Sequence, residues 1–468
     1  MATGRFLDHI NKAPYSLGLE YVVSFRCLGT RSQDRGKFRM KIPPVKGMRD
    51  FYPPQMAVRN YIMDHWRQVA RRNGFLEYDG PILEYLQLYT IKSGQEIVEQ
   101  LFSLTDRGGR ELAIRPEMTP TLARMVCQQV SSLPRPIKWF SVPRLCRAER
   151  PQKGRLREFF QWNIDILGVD DVLADAEVIF CTLDFLQTVG LTAADIVVRI
   201  SSRRLLSEAL LAAGVPEDRL ADVYGALDKK DKLPHEQFER MLSDLVPADQ
   251  VRQQVVALMG AVTLDEVAAM VRSDSPMSAV EELKRLFAIL DNMGVGEFCR
   301  FDIGIVRGLA YYTGVVFEVF DRHDRLRAIA GGGRYDNLLA MFDGPDLPAT
   351  GMGMGDCVLE ILLREKGLID DSLLRPELEY YVAFAEPSYL DQAIHIAAML
   401  RRAGLSAGFS YKPIGLGKQL RQASEQGWRR CLIVGQEVAF GQVILKDMAT
   451  GQQGPVNLEQ LLAKRAHA

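Results

Sequence analysis

The sequence predicts an α+β protein built in several parts, and three observations carry that reading. Apolar, strand-like segments at 137–147 and 159–168 flank a charged stretch and read as a hairpin, with helical sequence before and after them. Residues 203–293 are rich in Leu, Ala, Glu and Arg and read as an almost wholly helical insertion. From 379 onward, strand and helix patterns alternate, which is the signature of a separate α/β domain.

Residues 1–40 show little periodicity and end in the polar run "GTRSQDRGKFR"; they are expected to be a mobile N-terminal extension. Organised sequence begins near "MKIPPVKGMRDFYPP". Apolar positions Met56, Tyr61, Trp66 and Val69 recur at helical spacing, and Gly74 ends that helix. "FLEYDGPILE" is a strand broken at Pro81. "TPTLARMV" opens a helix, Gly154 lies near the hairpin tip, and 172–189 returns to helix before the short strand "ADIVVRI". After the helical block, strand-like sequence resumes in "CRFDIGIVRGLAYYTGVVFEVF" and "LRAIAGGGRYD", and a helix follows "GMGMG" at 351–355. The polar segment 364–378 suits a linker. The domains expected are therefore 41–365, with the insertion at about 203–293, and 379–468.

Composition excludes several classes. The chain has 468 residues, 47% hydrophobic and 25% charged, with a net charge of −1, so any anion site is built locally. Seven cysteines stand singly, at 27, 127, 146, 181, 299, 357 and 431, which suits reduced thiols in a cytoplasmic protein. The six histidines lack HExxH or HxH spacing, so no protein-bound metal is expected. No run of 18 apolar residues suggests a membrane span. Neither GxxxxGK[ST] nor GxGxxG before a helix occurs, so neither common phosphate loop is indicated.

Charge is strongly segregated around the hairpin. Residues 135–157 hold eight Lys or Arg and one acidic residue, whereas 158–177 hold six acidic residues and no Lys or Arg. A solvated turn is the plain reading of such a stretch; an anion-binding face next to an amine-binding one is the functional reading. Arginines 147, 155 and 157 border an otherwise apolar strand, and an unpaired inward charge is costly. Phe159 and Phe160 point to opposite faces, so one is available to stack on a base. Phe159, Gln161 and Asp165 share a face by period-two alternation. In "IRPEMTPTLARMV", Arg115, Glu117 and Thr119 fit either a helix cap with an acidic first turn or a polar site. "GIVRGLAYYTG" sets Arg307 between glycines, followed by Tyr311 and Tyr312. The glycines of "AGGGRYD" let backbone lie against a flat ligand.

"KGMRDFYPP", "RPEMT", "RAERPQKGRLREFFQ", "VRGLAYY", "AGGGRYDNLL" and "GMGMG" occur in one order, from about residue 41 onward, and together resemble the histidyl-tRNA synthetase family of class II aminoacyl-tRNA synthetases. The resemblance implies a catalytic core of antiparallel sheet flanked by helices, a C-terminal α/β anticodon-binding domain, and a homodimer formed around the segment ending at Pro81. It implies ATP-dependent ligation of L-histidine to tRNA(His) through a histidyl-adenylate, with Mg2+ accompanying ATP. By the same resemblance Arg147 and Arg307 act at the α-phosphate, Glu149 reads the adenine amino group, Arg155 reaches the γ-phosphate and Phe159 stacks on adenine. Glu117, Thr119, Gln161, Asp165, Tyr311 and Tyr312 are implied to bind histidine.

Three departures accompany the match. Val358 stands where the third class II motif places an arginine, Ala310 where an acidic residue is common, and Asp165 where a glutamate is expected. They keep a second reading open, a non-catalytic, synthetase-like histidine-sensing subunit that regulates histidine biosynthesis. Such a subunit typically lacks the C-terminal domain, whereas residues 379–468 here carry ten Lys or Arg against seven acidic residues. A general RNA-binding protein would explain the basic stretch but not an amino-acid pocket.

Overall fold

The structure is a computed structural model and describes residues 42–90, 100–227, 233–270, 278–305, 312–323, 325–370 and 378–463. The extension expected over 1–40, Arg307 and Tyr311 lie outside them.

The first helix, Pro53–Arg72, starts on a proline whose absent N–H would have no partner in a first turn, and it ends at Gly74 with φ of +79°. After it come β1 (Leu76–Glu77), then a small antiparallel sheet of β2 (Leu83–Tyr85), β3 (Phe102–Thr105) and β4 (Glu111–Ile114) in the order β2-β4-β3. The helix Thr119–Gln129 follows. β5 (Ile137–Ser141), β6 (Arg144–Cys146) and β7 (Glu158–Leu167) form the hairpin region, and Pro143 divides the single strand expected over 137–147 in two. β8 (Ile196–Ser202), β9 (Cys299–Phe301), β10 (Val315–Asp321), β11 (Ala330–Arg334) and β12 (Ala349–Gly355) complete the sheet. Its order is β1-β5-β7-β12-β11-β10-β8-β9, with β6 beside β7. All neighbours are antiparallel except β1–β5 and β8–β9.

The register of this sheet sorts its side chains into two unlike faces. Phe160, Trp162, Ile164 and Ile166 of β7 point to one face, where the helices Pro53–Arg72, Val172–Thr188 and Asp356–Glu365 cover them. Trp66 lies nearly parallel to Trp162 at 6.3 Å between ring centroids, and Phe185 meets Trp162 edge-on at 5.5 Å. Burying these rings removes water from the largest side chains of the chain, the dominant stabilising term for a sheet of this kind. The block expected to be helical holds helices from Arg203 to Asn292 and shares this core through Leu206, Leu210, Leu242 and Leu283.

The C-terminal sheet comprises β13 (Tyr380–Phe384), β14 (Ala407–Phe409), β15 (Arg430–Val434), β16 (Gln442–Asp447) and β17 (Gln453–Asn457), in the order β14-β13-β15-β16-β17. Its first three strands are parallel and joined by the helices Leu390–Arg402 and Leu416–Glu425, as the alternating pattern predicts. Buried Gln419 holds this domain together across its layers. Its amide accepts from the Phe384 N–H at 3.1 Å and donates to the carbonyls of Phe384 at 3.0 Å and Ile414 at 2.8 Å.

The large sheet is pinned to the helix Val172–Thr188 by a buried ion pair. Arg334 donates through Nε (3.0 Å) and Nη2 (2.5 Å) to Asp175 Oδ2, and through Nη1 and Nη2 to the carbonyls of Val169 and Asp171. Both side chains are nearly inaccessible to water, so each depends on the other for its charge. Replacing Arg334 by Met should therefore cost ~3–5 kcal/mol of stability. A lowered urea midpoint checks this, and an unchanged midpoint would show the pair to be dispensable.

Candidate active site

The face of the sheet turned away from the helical core is polar and almost free of bulky side chains at its centre. Phe159, Gln161, Asn163 and Asp165 of β7 alternate onto it, as the sequence predicts. Across the ladder Gly355 lies opposite Gln161, Gly353 opposite Asn163 and Gly351 opposite Asp165, and Gly331 and Gly333 of β11 continue the last two of these three rows. These glycines are required by space. A Cβ on Gly351 would collide with Asp165 Oδ1 and lie 2.8 Å from the Ile164 carbonyl, and one on Gly353 would lie 2.7 Å from Gln161 Nε2. The strands thus form a floor of bare backbone from which the β7 side chains stand up.

Asp165 anchors one end of this floor. It is buried, and the Tyr335 hydroxyl donates to its Oδ1. Trp139, directly opposite Asp165 on β5, packs against Tyr78 with centroids 5.5 Å apart. Burial raises the Tyr78 phenol well above its usual range, and the charge of Asp165 adds to that shift, so Tyr78 stays neutral. Tyr312 closes the same corner, since a Cβ on Gly333 would sit 3.1 Å from its Cδ1.

At the other end stand the cations. The Arg147 guanidinium lies 5.3 Å from the Phe159 ring centre, and its Nε donates to the Pro116 carbonyl at 3.1 Å. That bond ties the hairpin to the "RPEMT" segment. Arg115 is buried, donating to Asp79 Oδ1 (2.6 Å), the Gly80 carbonyl (2.8 Å) and the Arg144 carbonyl (3.1 Å). Its work is to hold the segment, which leaves Glu117 to face the site. The cap reading of Glu117 does not fit: Met118 is the N-cap of the helix Thr119–Gln129, no side chain caps it, and its first turn has no acidic residue. Glu117 is buried and its Oε1 finds no hydrogen-bond donor among the described residues. Thr119 sits beside it at the start of that helix, partly exposed.

Glu149 repeats the pattern. Its Oε2 is paired with the Arg155 guanidinium, while its Oε1 is buried without a donor among the described residues. Buried carboxylate oxygens left open in this way are costly unless a ligand supplies donors.

The hairpin loop leans on the helix Asp356–Glu365. Lys153 Nζ lies 3.3 Å from Glu365 Oε1, and Arg327 donates to Gln152 Oε1 at 2.9 Å. Gly154, at φ +75°, rests on buried Val358; a Cβ on it would lie 3.0 Å from Val358 Cγ2. The position where an arginine was expected is therefore covered by the loop tip.

Of the residues expected at the site, the structure places Phe159, Gln161 and Asp165 on one face of β7, Arg147 beside Phe159, the paired Glu149 and Arg155 in the loop before β7, Glu117 and Thr119 at the start of the helix Thr119–Gln129, and Tyr312 against Gly333. Tyr335, Trp139 and Tyr78, which adjoin Asp165, were not among the residues expected. "GGGRYD" holds the only hint, a tyrosine one position past an inward arginine and hence directed to the other face.

Residues 47–355 match the family model for histidyl-tRNA synthetase, and residues 379–465 match that for an anticodon-binding domain. Among similar proteins, the histidine–tRNA ligase of Opitutus terrae is 41% identical over 90% of this chain and 97% of its own. The chloroplastic/mitochondrial histidine–tRNA ligase of Arabidopsis thaliana is 39% identical over 90% of this chain and 86% of its own. The crystal structure of histidyl-tRNA synthetase from Nostoc sp. PCC 7120 shares the fold, with a TM-score of 0.76 at 24% identity, covering 92% of this chain and 99% of that one. The mixed sheet with its helices and the separate C-terminal sheet are the architecture of an aminoacyl-tRNA synthetase. This chain belongs to the histidyl-tRNA synthetase family.

Because Val358 is packed beneath Gly154, Val358→Arg should not simply restore a family side chain. Overpacking there should cost ~1–3 kcal/mol or lift the loop. A thermal melt reads the first outcome; a variant as stable as the parent, with unchanged protease sensitivity of 150–156, would contradict both.

Proposed function

We propose that this protein is a histidine–tRNA ligase that joins L-histidine to tRNA(His) through a histidyl-adenylate, using ATP and releasing pyrophosphate and then AMP. The observation that carries the reading is the pair of buried carboxylate oxygens without a donor among the described residues: Glu117 Oε1, next to the Pro116 carbonyl that Arg147 binds, and Glu149 Oε1, two residues beyond Arg147, whose guanidinium lies by Phe159. An α-ammonium group suits Glu117, and an exocyclic adenine amine suits Glu149. Phe159 offers a ring for the base, and Arg147 holds a guanidinium beside it.

In this reading histidine lies between Glu117, Thr119 and Gln161, with its imidazole toward Asp165, Tyr312 and Tyr311. Its carboxylate oxygen attacks the α-phosphorus of ATP; the new O–P bond forms as the bond to pyrophosphate breaks. Arg147 and Arg307 offset the charge that accumulates at phosphorus, and fixed guanidinium groups do so without reorganising. Arg155 exchanges its Glu149 partner for the γ-phosphate, which frees the rest of Glu149 for adenine. ATP would enter as its Mg2+ complex, the ion neutralising phosphate oxygens. The terminal ribose hydroxyl of tRNA then attacks the carbonyl carbon of the adenylate, and AMP leaves.

The assignment extends to the domains: residues 41–365 as the catalytic part and 379–468 as the part that grips the anticodon arm. Lys412, Lys418 and Arg421 are exposed on and before the helix Leu416–Glu425, beside exposed Tyr411, a mixture suited to phosphates and unpaired bases. The regulatory alternative is disfavoured, because relatives named as ligases match 90% of the chain and the anticodon-binding region is present. Unpaired cysteines and no helix among the described residues able to cross a membrane suit a cytoplasmic setting.

ATP–pyrophosphate exchange with each of the twenty amino acids tests the reading: only histidine should drive it. Arg147→Ala and Arg307→Ala should each lower the rate by about 10²–10³-fold while histidine still binds. Histidine binding by the unmodified protein with no exchange would favour the sensing subunit instead.

A homodimer belongs to the same reading. Leu83, Tyr85 and Leu104 lie on one face of the β2-β4-β3 sheet and are exposed, as is Leu76 on the edge strand β1. A second copy would cover this apolar face and open edge. Light scattering should give twice the chain mass at micromolar protein, and Leu83→Asp with Tyr85→Asp should give one; a stable monomer of the unmodified protein would refute it.

A further inference from the structure

The short segment 46–51, just before the first helix, crosses the base of the hairpin and ends on the helix Asp356–Glu365. The Arg157 N–H donates to the Gly47 carbonyl at 2.9 Å, and Gly47 has φ of +87° with Pro151 and Arg157 packed where a side chain would go. Two residues later, Arg49 Nη2 donates to Asp356 Oδ2 at 2.6 Å. The other oxygen of Asp356 accepts the backbone N–H of Phe160 at 2.9 Å. Asp356 is buried at the first position of its helix, where a carboxylate is favoured.

That second bond stands at a particular place in the sheet. Gln161 N–H donates to the Pro143 carbonyl on the β6 side, so the Phe160 N–H faces the opposite way, toward β12. β12, however, ends at Gly355, opposite Gln161, and turns into the helix. The Asp356 carboxylate takes the place of the next strand carbonyl. It thereby fixes the peptide that joins Phe159 to Phe160, between the side chains of Phe159 and Gln161 assigned to adenine and histidine. On its far side the Phe160 ring is held by Phe51 at 6.1 Å and by the guanidinium groups of Arg59 and Arg144 at 5.0 and 4.9 Å. The Arg49 guanidinium in turn lies 4.8 Å from the Phe51 ring centre. Phe160 is therefore clamped at both backbone and ring, and Arg49 contributes to both clamps.

We propose that Arg49 and Asp356 form a positioning pair for the nucleotide: by holding the Phe160 amide they set where the Phe159 ring stands for adenine. Neither residue touches ATP in this account; Arg49 acts by holding the Asp356 carboxylate in its orientation, and Asp356 acts through the strand. The inference rests on the ATP reading of the Phe159 end of the site. The strand is held beyond Gln161 by its full ladder with β12, so the histidine end should be insensitive.

The test is ATP–pyrophosphate exchange on the full chain, with ATP and histidine varied separately. Arg49→Met should raise KM for ATP about tenfold, as a slight misplacement of a binding surface does. KM for histidine and kcat should stay within about twofold, since their groups keep their supports. Asp356→Asn, which is isosteric, should do the same; the double variant should be no worse than either single one, because the two act as one unit. Arg49→Lys should recover most of the loss. An unchanged KM for ATP in both single variants overturns the pair. So does a uniform loss across both substrates and kcat, or failure of both variants to fold, since either assigns the pair to stability alone. No histidine-dependent exchange by the unmodified protein removes the nucleotide site, and the pair with it.

Discussion

Strand β7 has to satisfy two environments at once, and the rest of the catalytic part is arranged around that requirement. Its inward residues, Phe160, Trp162, Ile164 and Ile166, are locked into an aromatic and aliphatic core by three helices. Its outward residues, Phe159, Gln161, Asn163 and Asp165, are held at fixed intervals because the inward ones cannot move. A slip of one residue would exchange the faces, burying Gln161 and Asp165 in hydrocarbon and exposing Trp162. The cost of that slip is what keeps the polar face in register. Glycines on β11 and β12 then supply the room, and the Arg334–Asp175 pair fastens the same strands to the helix beneath.

The charges around this floor are organised by use. Arg115 has its donors absorbed by Asp79, Gly80 and Arg144, so it is a brace. Glu117, two residues on, keeps an open oxygen, so it is available. Arg147 spends one donor on Pro116 and presents the rest of its guanidinium near Phe159. Adjacent residues in sequence thus divide into those that hold the site and those that face it.

Much of this was legible without coordinates. Period-two alternation is enough to put Phe159, Gln161 and Asp165 on one face, and the helical block and the C-terminal alternation were evident from spacing. The small β2-β4-β3 sheet was not, because strands of three or four residues with half-exposed side chains leave no periodic trace. Tyr335 was not, because its bond to Asp165 joins residues 170 apart in the chain. The status of Glu117 could not be read either, since a cap and a free-standing carboxylate share one local pattern; the observed N-cap removes the first. Val358 reads in sequence as the loss of a cation, whereas in space it is an apolar seat for the loop at Gly154.

The glycine floor also bears on how such a site can change over time. At Gly333, Gly351 and Gly353 even a methyl group meets backbone or site atoms, so these positions offer no graded route to a new pocket shape. Change on this face has to enter from its borders, through Tyr312, Tyr335, Trp139 and the segment around Glu117. The face is thus rigid in one dimension and adaptable in the others, and drift in its chemistry is channelled toward residues that stand around the floor rather than in it.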